Sequence, residues 1–354
     1  MTLQELGLLS WFDDKIDKSL LDEYRLARVI IVNKESYIIK NERTETKAEI
    51  TGRLMYNADS PLDFPTVGDW VYAQYFDNDT LAIIQDIVPR KSLLKRKTSG
   101  STIEYQLLGA NIDKALLMQS LDADFNLRRL ERYLVMAKDS DIHPIVLLSK
   151  SDLLSESELE KKKSEIRSLM PDLEIVSFSN VDRSGLDKVN ALLLPGETYC
   201  LLGSSGVGKT TLLNTLFGEE RFETLTVREK DSKGRHATTR RQLNVMQNGA
   251  LIIDTPGLRE LGNIGVEAGI KKTFDDIMAL SVGCRFKDCT HVHEEGCAVL
   301  SAVDEGKISR ERYENYIKMT RESAYHEMSY LEKRKRDKEF GKMVKRVMKN
   351  HRKK

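Results

Sequence analysis

The sequence predicts a multidomain α/β chain: a small β-barrel, a mostly parallel α/β sheet and a helical C-terminal domain. Three observations carry that expectation. Residues 25–90 alternate short β-branched and aromatic runs with turn residues, with no helical stretch between them. From about residue 110, apolar runs alternate with amphipathic stretches. Three of the four cysteines then fall within fourteen residues, 284–297, in a helix-rich remainder. A length of 354 residues fits two or three domains at roughly 150 residues each.

The barrel comes first. Residues 25–32, 37–40, 48–51, 69–75 and 81–87 read as strands, punctuated by Asn33, Asn57, Pro61, Gly68 and Asn78. Five short strands without intervening helices suggest a closed barrel. The segment 90–97, with Arg90, Lys91, Lys95, Arg96 and Lys97, reads as a basic linker. The α/β part follows. Apolar runs at 115–118, 145–148, 175–178, 199–202 and 251–253 alternate with helical stretches such as 127–137 and 155–169. That rhythm belongs to a parallel sheet covered by helices on its faces. Residues 308–319 and 325–349 read as two further helices. The expected boundaries are 1–97 for the barrel with a short leader, 98–264 for the α/β domain and 265–354 for the helical domain with its tail.

Composition excludes some classes. The longest apolar runs fall far short of the ~20 residues a spanning helix needs. The first fourteen residues hold Glu5, Asp13 and Asp14 and lack a basic region followed by an apolar stretch, so no signal peptide is read. Four cysteines in so long a chain are no disulfide scaffold. The formal net charge of +1 hides an asymmetry. Residues 331–354 carry twelve Lys/Arg against three Asp/Glu, net +9, and the other 330 residues carry 44 against 52, net −8. A basic tail of this kind neutralises phosphates and gives salt-dependent nucleic-acid binding; a small barrel also suits RNA.

Gly203, Ser204, Ser205, Gly206, Val207, Gly208, Lys209 and Thr210 match G-x-x-x-x-G-K-[ST], followed by Thr211. The motif follows an apolar strand and opens a helix, the context that makes it a phosphate loop. Small residues let backbone N–H groups turn toward an anion, and the helix N-terminus adds positive potential. Lys209 is expected on the β- and γ-phosphates and Thr210 on Mg²⁺. Asp254 ends the strand 251–253 and begins D-x-x-G, which makes it the second Mg²⁺-side group; Gly257 offers its N–H to the γ-phosphate.

Ser149, Lys150, Ser151 and Asp152 resemble the N-K-x-D element that reads guanine. Asp152 accepts from guanine N1–H and the 2-amino group, and the Lys150 stem stacks on the base. Ser149 stands where Asn is usual, which removes an amide that ties this loop to the phosphate loop and points to weaker affinity. Ser177 and Ser179 end the next strand and resemble a further guanine-side loop. These base-side elements precede Gly203, whereas in ordinary GTPases they follow the phosphate loop. That order describes a circularly permuted GTPase domain.

Cys284, Cys289, Cys297 and a histidine make a Cys₃His set suited to one structural, tetrahedral Zn²⁺. Both His291 and His293 are near enough in sequence to be the fourth ligand. Cys200, in an apolar strand, is expected in the core.

The phosphate loop, Gly234-Arg-His-Ala-Thr-Thr239, the Asp254–Gly257 element and Cys284-x4-Cys289-x-His291-x5-Cys297 occur in this order. With the strand-rich N-terminus, the chain closely resembles the bacterial ribosome small-subunit-dependent GTPases over roughly residues 20–330. The resemblance implies an OB-fold barrel, a permuted GTPase domain and a zinc-binding helical domain with His291 as the ligand. It implies GTP hydrolysis stimulated by the 30S subunit, contact with 16S rRNA, action late in small-subunit maturation and release on hydrolysis. A cytoplasmic monomer with GTP/GDP as ligands and no membrane partner is expected. Thr238 and Thr239 are both open as the switch threonine on Mg²⁺, since Ala237 occupies a position commonly Thr.

The residue after D-x-x-G is Leu258, which cannot orient water as Gln does in many small GTPases. His236 is the candidate for that role, with Arg235 and Lys209 as charge stabilisers; a group supplied by the ribosome is the alternative. Slow intrinsic turnover with strong stimulation is expected. A GTP-switched RNA-binding regulator not dedicated to the ribosome is the second reading, and Asp152 argues against an ATP-using enzyme.

Overall fold

The computed structural model describes residues 1–33, 36–97, 105–219, 241–254 and 266–327, with side chains to 324. The chain divides into two compact units, Met1–Arg96 with Tyr105–Leu261, and Lys97–Glu104 with Gly262–Lys354.

The first unit begins with five strands, β1 (Arg25–Val32), β2 (Tyr37–Lys40), β3 (Glu45–Ile50), β4 (Trp70–Phe76) and β5 (Leu81–Ile87). They close into a barrel: β1–β2, β2–β3, β4–β5 and β1–β4 pair antiparallel, and β3–β5 parallel. Alternation decides which side chains enter. In β3, Thr46 and Ala48 point inward while Glu45, Lys47 and Glu49 face water. Ala27, Val29, Ile39, Ala48, Val71, Ala73, Ala82 and Ile84 fill the interior, and the four alanines leave room for the large residues opposite. The N-terminal leader lays Leu6 and Phe12 against Trp70 and Tyr72 on the outside of the barrel.

Two expectations for this region are corrected. A helix, α1 (Gly52–Asn57), lies between β3 and β4. Thr51 caps it by accepting from the Leu54 N–H at 3.1 Å. None of its six residues is buried, so it shows no apolar stripe in sequence. The supposed basic linker is also structural. Arg90 donates twice to the fully buried Asp69 carboxylate at 2.8 Å, and Lys91 reaches Asp113 at 2.7 Å. Residues Leu93–Lys97 form β6, which pairs with β7 (Tyr105–Ala110).

The α/β sheet contains β8 (Lys114–Ser120), β9 (His143–Ser149), β10 (Glu174–Ser177), β11 (Thr198–Gly203), β12 (Arg241–Val245) and β13 (Leu251–Asp254). Its order is β10-β9-β8-β11-β13-β12, parallel except for β12. β12 was not legible in sequence because its polar alternation, Arg-Gln-Leu-Asn-Val, is too short to stand out. It pairs with β1 through Ile31↔Gln242 and Val32↔Arg241. Barrel and α/β sheet therefore form one continuous sheet of eleven strands among the described residues.

Helices α2 (Leu127–Asp139), α3 (Glu156–Arg167), α4 (Leu186–Ala191) and α5 (Lys209–Phe217) cover this sheet. Asn126 caps α2, and Ser155 with Glu158 forms a capping box on α3. Alternate strand residues serve opposite faces. Leu117, Cys200, Leu202 and Ile253 pack with Leu130 and Leu134 of α2. Leu116, Met118, Leu201 and Ile252 pack with Val189 of α4 and Leu212 and Leu213 of α5. Cys200 is buried in the core, where burial pushes its thiol up to about 12. Parallel strands bring the carboxyl ends of β8, β9, β10, β11 and β13 to one edge, where open α/β sheets bind ligands.

The second unit contains α6 (Glu267–Thr273), α7 (Asp275–Ser281), α8 (Ala298–Asp304) and α9 (Arg310–Glu327). Helix α9 bridges the gap between the two helices expected from sequence. Arg312 locks it to α7, donating to both Asp276 oxygens at 2.7 and 2.8 Å and to the Thr273 carbonyl at 3.0 Å. Residues 328–354, with the basic tail, lie outside the described residues. No helix among the described residues is long and apolar enough to cross a membrane.

Candidate nucleotide and metal sites

The phosphate loop connects β11 to α5. Gly206 and Gly208 adopt φ of +82° and +92°, conformations that L side chains rarely adopt. A Cβ on Gly203 would stand 2.8 Å from the Met118 carbonyl, and one on Gly208 would stand 3.0 Å from Asn180 Nδ2. The loop is thus bare of side chains where backbone must approach a ligand. Helix α5 has no side-chain cap. The helix dipole favours negative charge at its N-terminus. Lys209 folds over the loop, its Nζ donating to the carbonyls of Gly203 at 2.7 Å and Ser204 at 2.6 Å.

Asp254 ends β13, partly buried, and burial pushes its carboxyl up although Lys209 pulls it down. A carboxylate raised by burial gains from a cation beside it. Gly257, Arg235, His236, Thr238 and Thr239 lie outside the described residues.

The base-side residues gather at the ends of β9 and β10. Ser149 is buried, and its Oγ donates to the Val207 carbonyl of the phosphate loop at 2.7 Å. The tie that the missing amide was expected to remove is present, made by a shorter side chain. Lys150 adopts φ +60° and begins the 3-10 turn Ser151–Leu153, on which Asp152 is exposed. Ser151 N–H donates to the Phe178 carbonyl at 3.2 Å, joining this turn to the loop after β10. There, Ser179 Oγ is buried and accepts from the N–H groups of Val181 at 3.0 Å and Asp182 at 3.4 Å, so the hydroxyl shapes its own loop. Ser177 ends β10, and Gly185 packs so close that a Cβ would meet the Ser177 carbonyl at 2.2 Å.

Sequence reasoning missed the loop after β8. Asp122 Oδ2 accepts from Lys150 Nζ at 2.6 Å. Asp124 accepts from Ser204 Oγ of the phosphate loop at 2.8 Å and from Arg129 at 2.7 and 3.0 Å. Asn180 sits beside Gly208 with its Oδ1 buried and without a hydrogen-bond partner among the described residues. The available signal was positional: carboxylates just beyond the C-terminal end of a parallel strand lie at the ligand edge.

In the second unit, Cys284, Cys289, His291 and Cys297 converge, their ligand atoms all within 4.8 Å of one another. Nδ1 of His291 lies 3.6 Å from Cys284 Sγ and 3.5 Å from Cys297 Sγ, and the two sulfurs are 3.9 Å apart. A tetrahedron with metal–sulfur bonds of about 2.3 Å has edges of roughly 3.7 Å, so the spacing fits Zn²⁺. Burial opposes the Cys284 thiolate, but the N–H groups of Ala298 and Val299 at the start of α8 outweigh it and lower the pKa. His291 is buried, which lowers its pKa and favours the neutral ligand form. His293 is exposed, and its carboxyl-side neighbour Glu294 orders the turn by accepting from the N–H groups of Thr290, Val292 and His293. Tyr313 of α9 donates to the His291 carbonyl at 2.7 Å.

These features can be set beside known proteins. A family model described as RsgA GTPase matches residues 87–264, and one described as 50S ribosome-binding GTPase matches residues 198–333. "Small ribosomal subunit biogenesis GTPase RsgA 2" of Vibrio parahaemolyticus is 37% identical over 351 residues, 99% of this chain and 94% of the relative. "Small ribosomal subunit biogenesis GTPase RsgA" of Opitutus terrae is 39% identical over 334 residues, 92% of this chain and 90% of the relative. The fold is similar to the crystal structure of YjeQ from Thermotoga maritima (TM-score 0.61, 24% identity, 83% of this chain and 96% of that one). It is also similar to YloQ, described as a circularly permuted GTPase (TM-score 0.58, 23% identity, 84% and 95%). A phosphate loop and an N-K-x-D-like turn on one sheet edge, in permuted order, together with the match over half the chain and near-full-length relatives, identify the chain as a GTP hydrolase that belongs to the RsgA GTPase family.

Proposed function

We propose that this GTPase acts in biogenesis of the small ribosomal subunit: it docks on the 30S subunit in its GTP state, is stimulated there and leaves on hydrolysis. The names of its near-full-length relatives support the pathway. The observation that carries the switch is the physical joining of base side and phosphate side by Ser149 and Val207. Both halves of the site then respond as one body to the nucleotide.

Each site residue has a part in that cycle. The bare N-terminus of α5 and the glycine-rich loop bind phosphate oxygens, and Lys209 leaves its carbonyl partners for the β- and γ-phosphates. Thr210 and Asp254 would hold Mg²⁺, which would supply positive charge against the phosphates. Thr238 or Thr239 would add a hydroxyl ligand to that ion, and the Gly257 N–H would meet the γ-phosphate. Asp152 reads guanine N1–H and the 2-amino group, with Ser177 and Ser179 shaping the loop alongside. His236 orients the attacking water and Arg235 steadies charge. One structural Zn²⁺ on Cys284, Cys289, His291 and Cys297 holds the second unit. The barrel and the basic tail contact 16S rRNA. The chain works as a cytoplasmic monomer, with domains at 1–97, 98–264 and 265–354.

Turnover measured alone, with 30S subunits, with 50S subunits and with free rRNA tests the reading. Stimulation by 30S alone is expected. Equal stimulation by free RNA would favour a GTP-switched RNA-binding regulator instead. His236→Ala should abolish most 30S-stimulated turnover while leaving GDP affinity intact.

A further inference from the structure

The loop after β8 has no role in the reading above, yet it touches both halves of the site. Asp122 is held from three directions. Oδ2 takes Lys150 Nζ at 2.6 Å, and Oδ1 accepts from Ser120 Oγ at 2.7 Å and from the Asp124 N–H at 3.0 Å. Two residues further on, Asp124 grips Ser204 of the phosphate loop and Arg129 of α2. Lys150 itself sits in the left-handed region at φ +60°, one residue before the turn that carries Asp152. An L residue there is uncommon and marks a position the surroundings impose.

We propose that Asp122 is a positioning residue for guanine recognition: it tethers the Lys150 ammonium so that the lysine's methylene stem, not its charge, lies against the base. The tether is made by protein groups alone. An exposed lysine has up to about 2 kcal/mol of side-chain entropy to lose on ordering, and a side chain ordered in advance loses less on binding. Asp122 also neutralises the ammonium, so the lysine contributes little long-range attraction to the phosphates. The ordering of the stem acts on the base half of the ligand. The proposal rests on the guanine reading of Asp152.

Binding of fluorescent GDP and ADP analogues tests it. Asp122→Asn keeps the shape of the side chain and removes its charge. It is expected to raise the Kd for GDP about fivefold to tenfold, which at about 1.4 kcal/mol per tenfold lies within the ordering entropy of one lysine side chain. The Kd for ADP and kcat at saturating GTP should change less than about twofold. Lys150→Met should weaken GDP binding to a similar extent, and the double variant should be no weaker than the worse single one. Additive losses, or equal losses for GDP and ADP, would overturn the proposal. So would an unchanged GDP affinity in Lys150→Met, a measurement that stands even where Asp122→Asn does not fold. Asp152→Asn separates the two readings. A shift of preference toward xanthosine nucleotides upholds the guanine site whatever Asp122 does, and no shift would sink that reading first.

Discussion

The hydroxyl of Ser149 donates to the carbonyl of Val207 across 58 positions of chain, at 2.7 Å, and so fastens the base-side strand β9 to the phosphate loop. Ser149 is 1% exposed. A buried carbonyl left without its donor costs about 1–3 kcal/mol. Ser149→Ala should therefore weaken GDP binding by about fivefold or more through loss of loop order. Titration with a fluorescent GDP analogue checks it, and an unchanged Kd would show that the tie contributes nothing.

Gly208 resists a side chain on two counts. Its φ of +92° and the Asn180 amide 3.0 Å from an added Cβ both oppose one. A left-handed conformation costs an L residue roughly 1–2 kcal/mol, and relief of the clash would push Asn180 or the loop aside. Gly208→Ala should lower GTP affinity at least tenfold with little loss of fold. Calorimetric binding, with circular dichroism for the fold, measures both.

Cysteine reactivity should report the metal centre. Among four free cysteines, Cys200 is fully buried and its thiol is pushed up to about 12. Native protein should react slowly at every thiol. A chelator should release zinc and expose Cys284, Cys289 and Cys297 to a thiol reagent, with Cys200 reacting only after denaturation. Fast reaction of the three without a chelator would argue against bound metal in native protein.

Arg28 is a second structural test. Fully buried on β1, it donates to the Gly68 carbonyl at 3.2 Å, the Asn111 carbonyl at 3.3 Å, Thr198 Oγ1 at 2.8 Å and the Leu6 carbonyl. One guanidinium thus links the leader, the barrel and the start of β11. Arg28→Met leaves those acceptors buried without a donor and should destabilise the first unit by about 3 kcal/mol or more. Urea unfolding followed by tryptophan fluorescence reads it, since Trp70 lies beside Arg28.

Acid should weaken the Asp122 tether. Burial opposes its charge, but hydrogen bonds from Lys150, Ser120 and the Asp124 N–H outweigh it and hold the carboxyl at about 2, below the usual 3.8. A carboxyl depressed in the folded state adds stability that is fully present above the unfolded value. That stability is lost as pH falls from about 3.8 to about 2. Asp122→Asn should be less stable than the parent at pH 6, with the difference shrinking below pH 4. A difference that stayed constant down to pH 2 would contradict the depressed carboxyl.

Much of this was legible in residues alone because the relevant physics is local. The phosphate loop is a contiguous run whose glycines and following helix make an anion site by themselves. The permuted order of Gly203 and Asp152 is a fact of sequence, and the Cys₃His cluster spans fourteen residues. The parallel strands showed as apolar runs because both of their faces are buried. The weaker elements did not show: α1 buries nothing, β12 alternates polar residues, and the 90–97 segment looked like a linker until Arg90 met a buried Asp69.

The tertiary structure decided what depends on neighbours distant in sequence. Ser149 reads as a lost contact by residue type, and only the approach of Val207 gives its hydroxyl a partner in the phosphate loop. No sequence pattern singles out Asp122 and Asp124, and only the parallel sheet puts them between Lys150 and Ser204. Strand β1 joins the barrel to β12 through two residue pairs that no local pattern could reveal. The reason is the same in each case. A hydrogen bond needs two groups within about 3 Å, and the periodicity of a sequence specifies one of them without saying where the chain will return to supply the other.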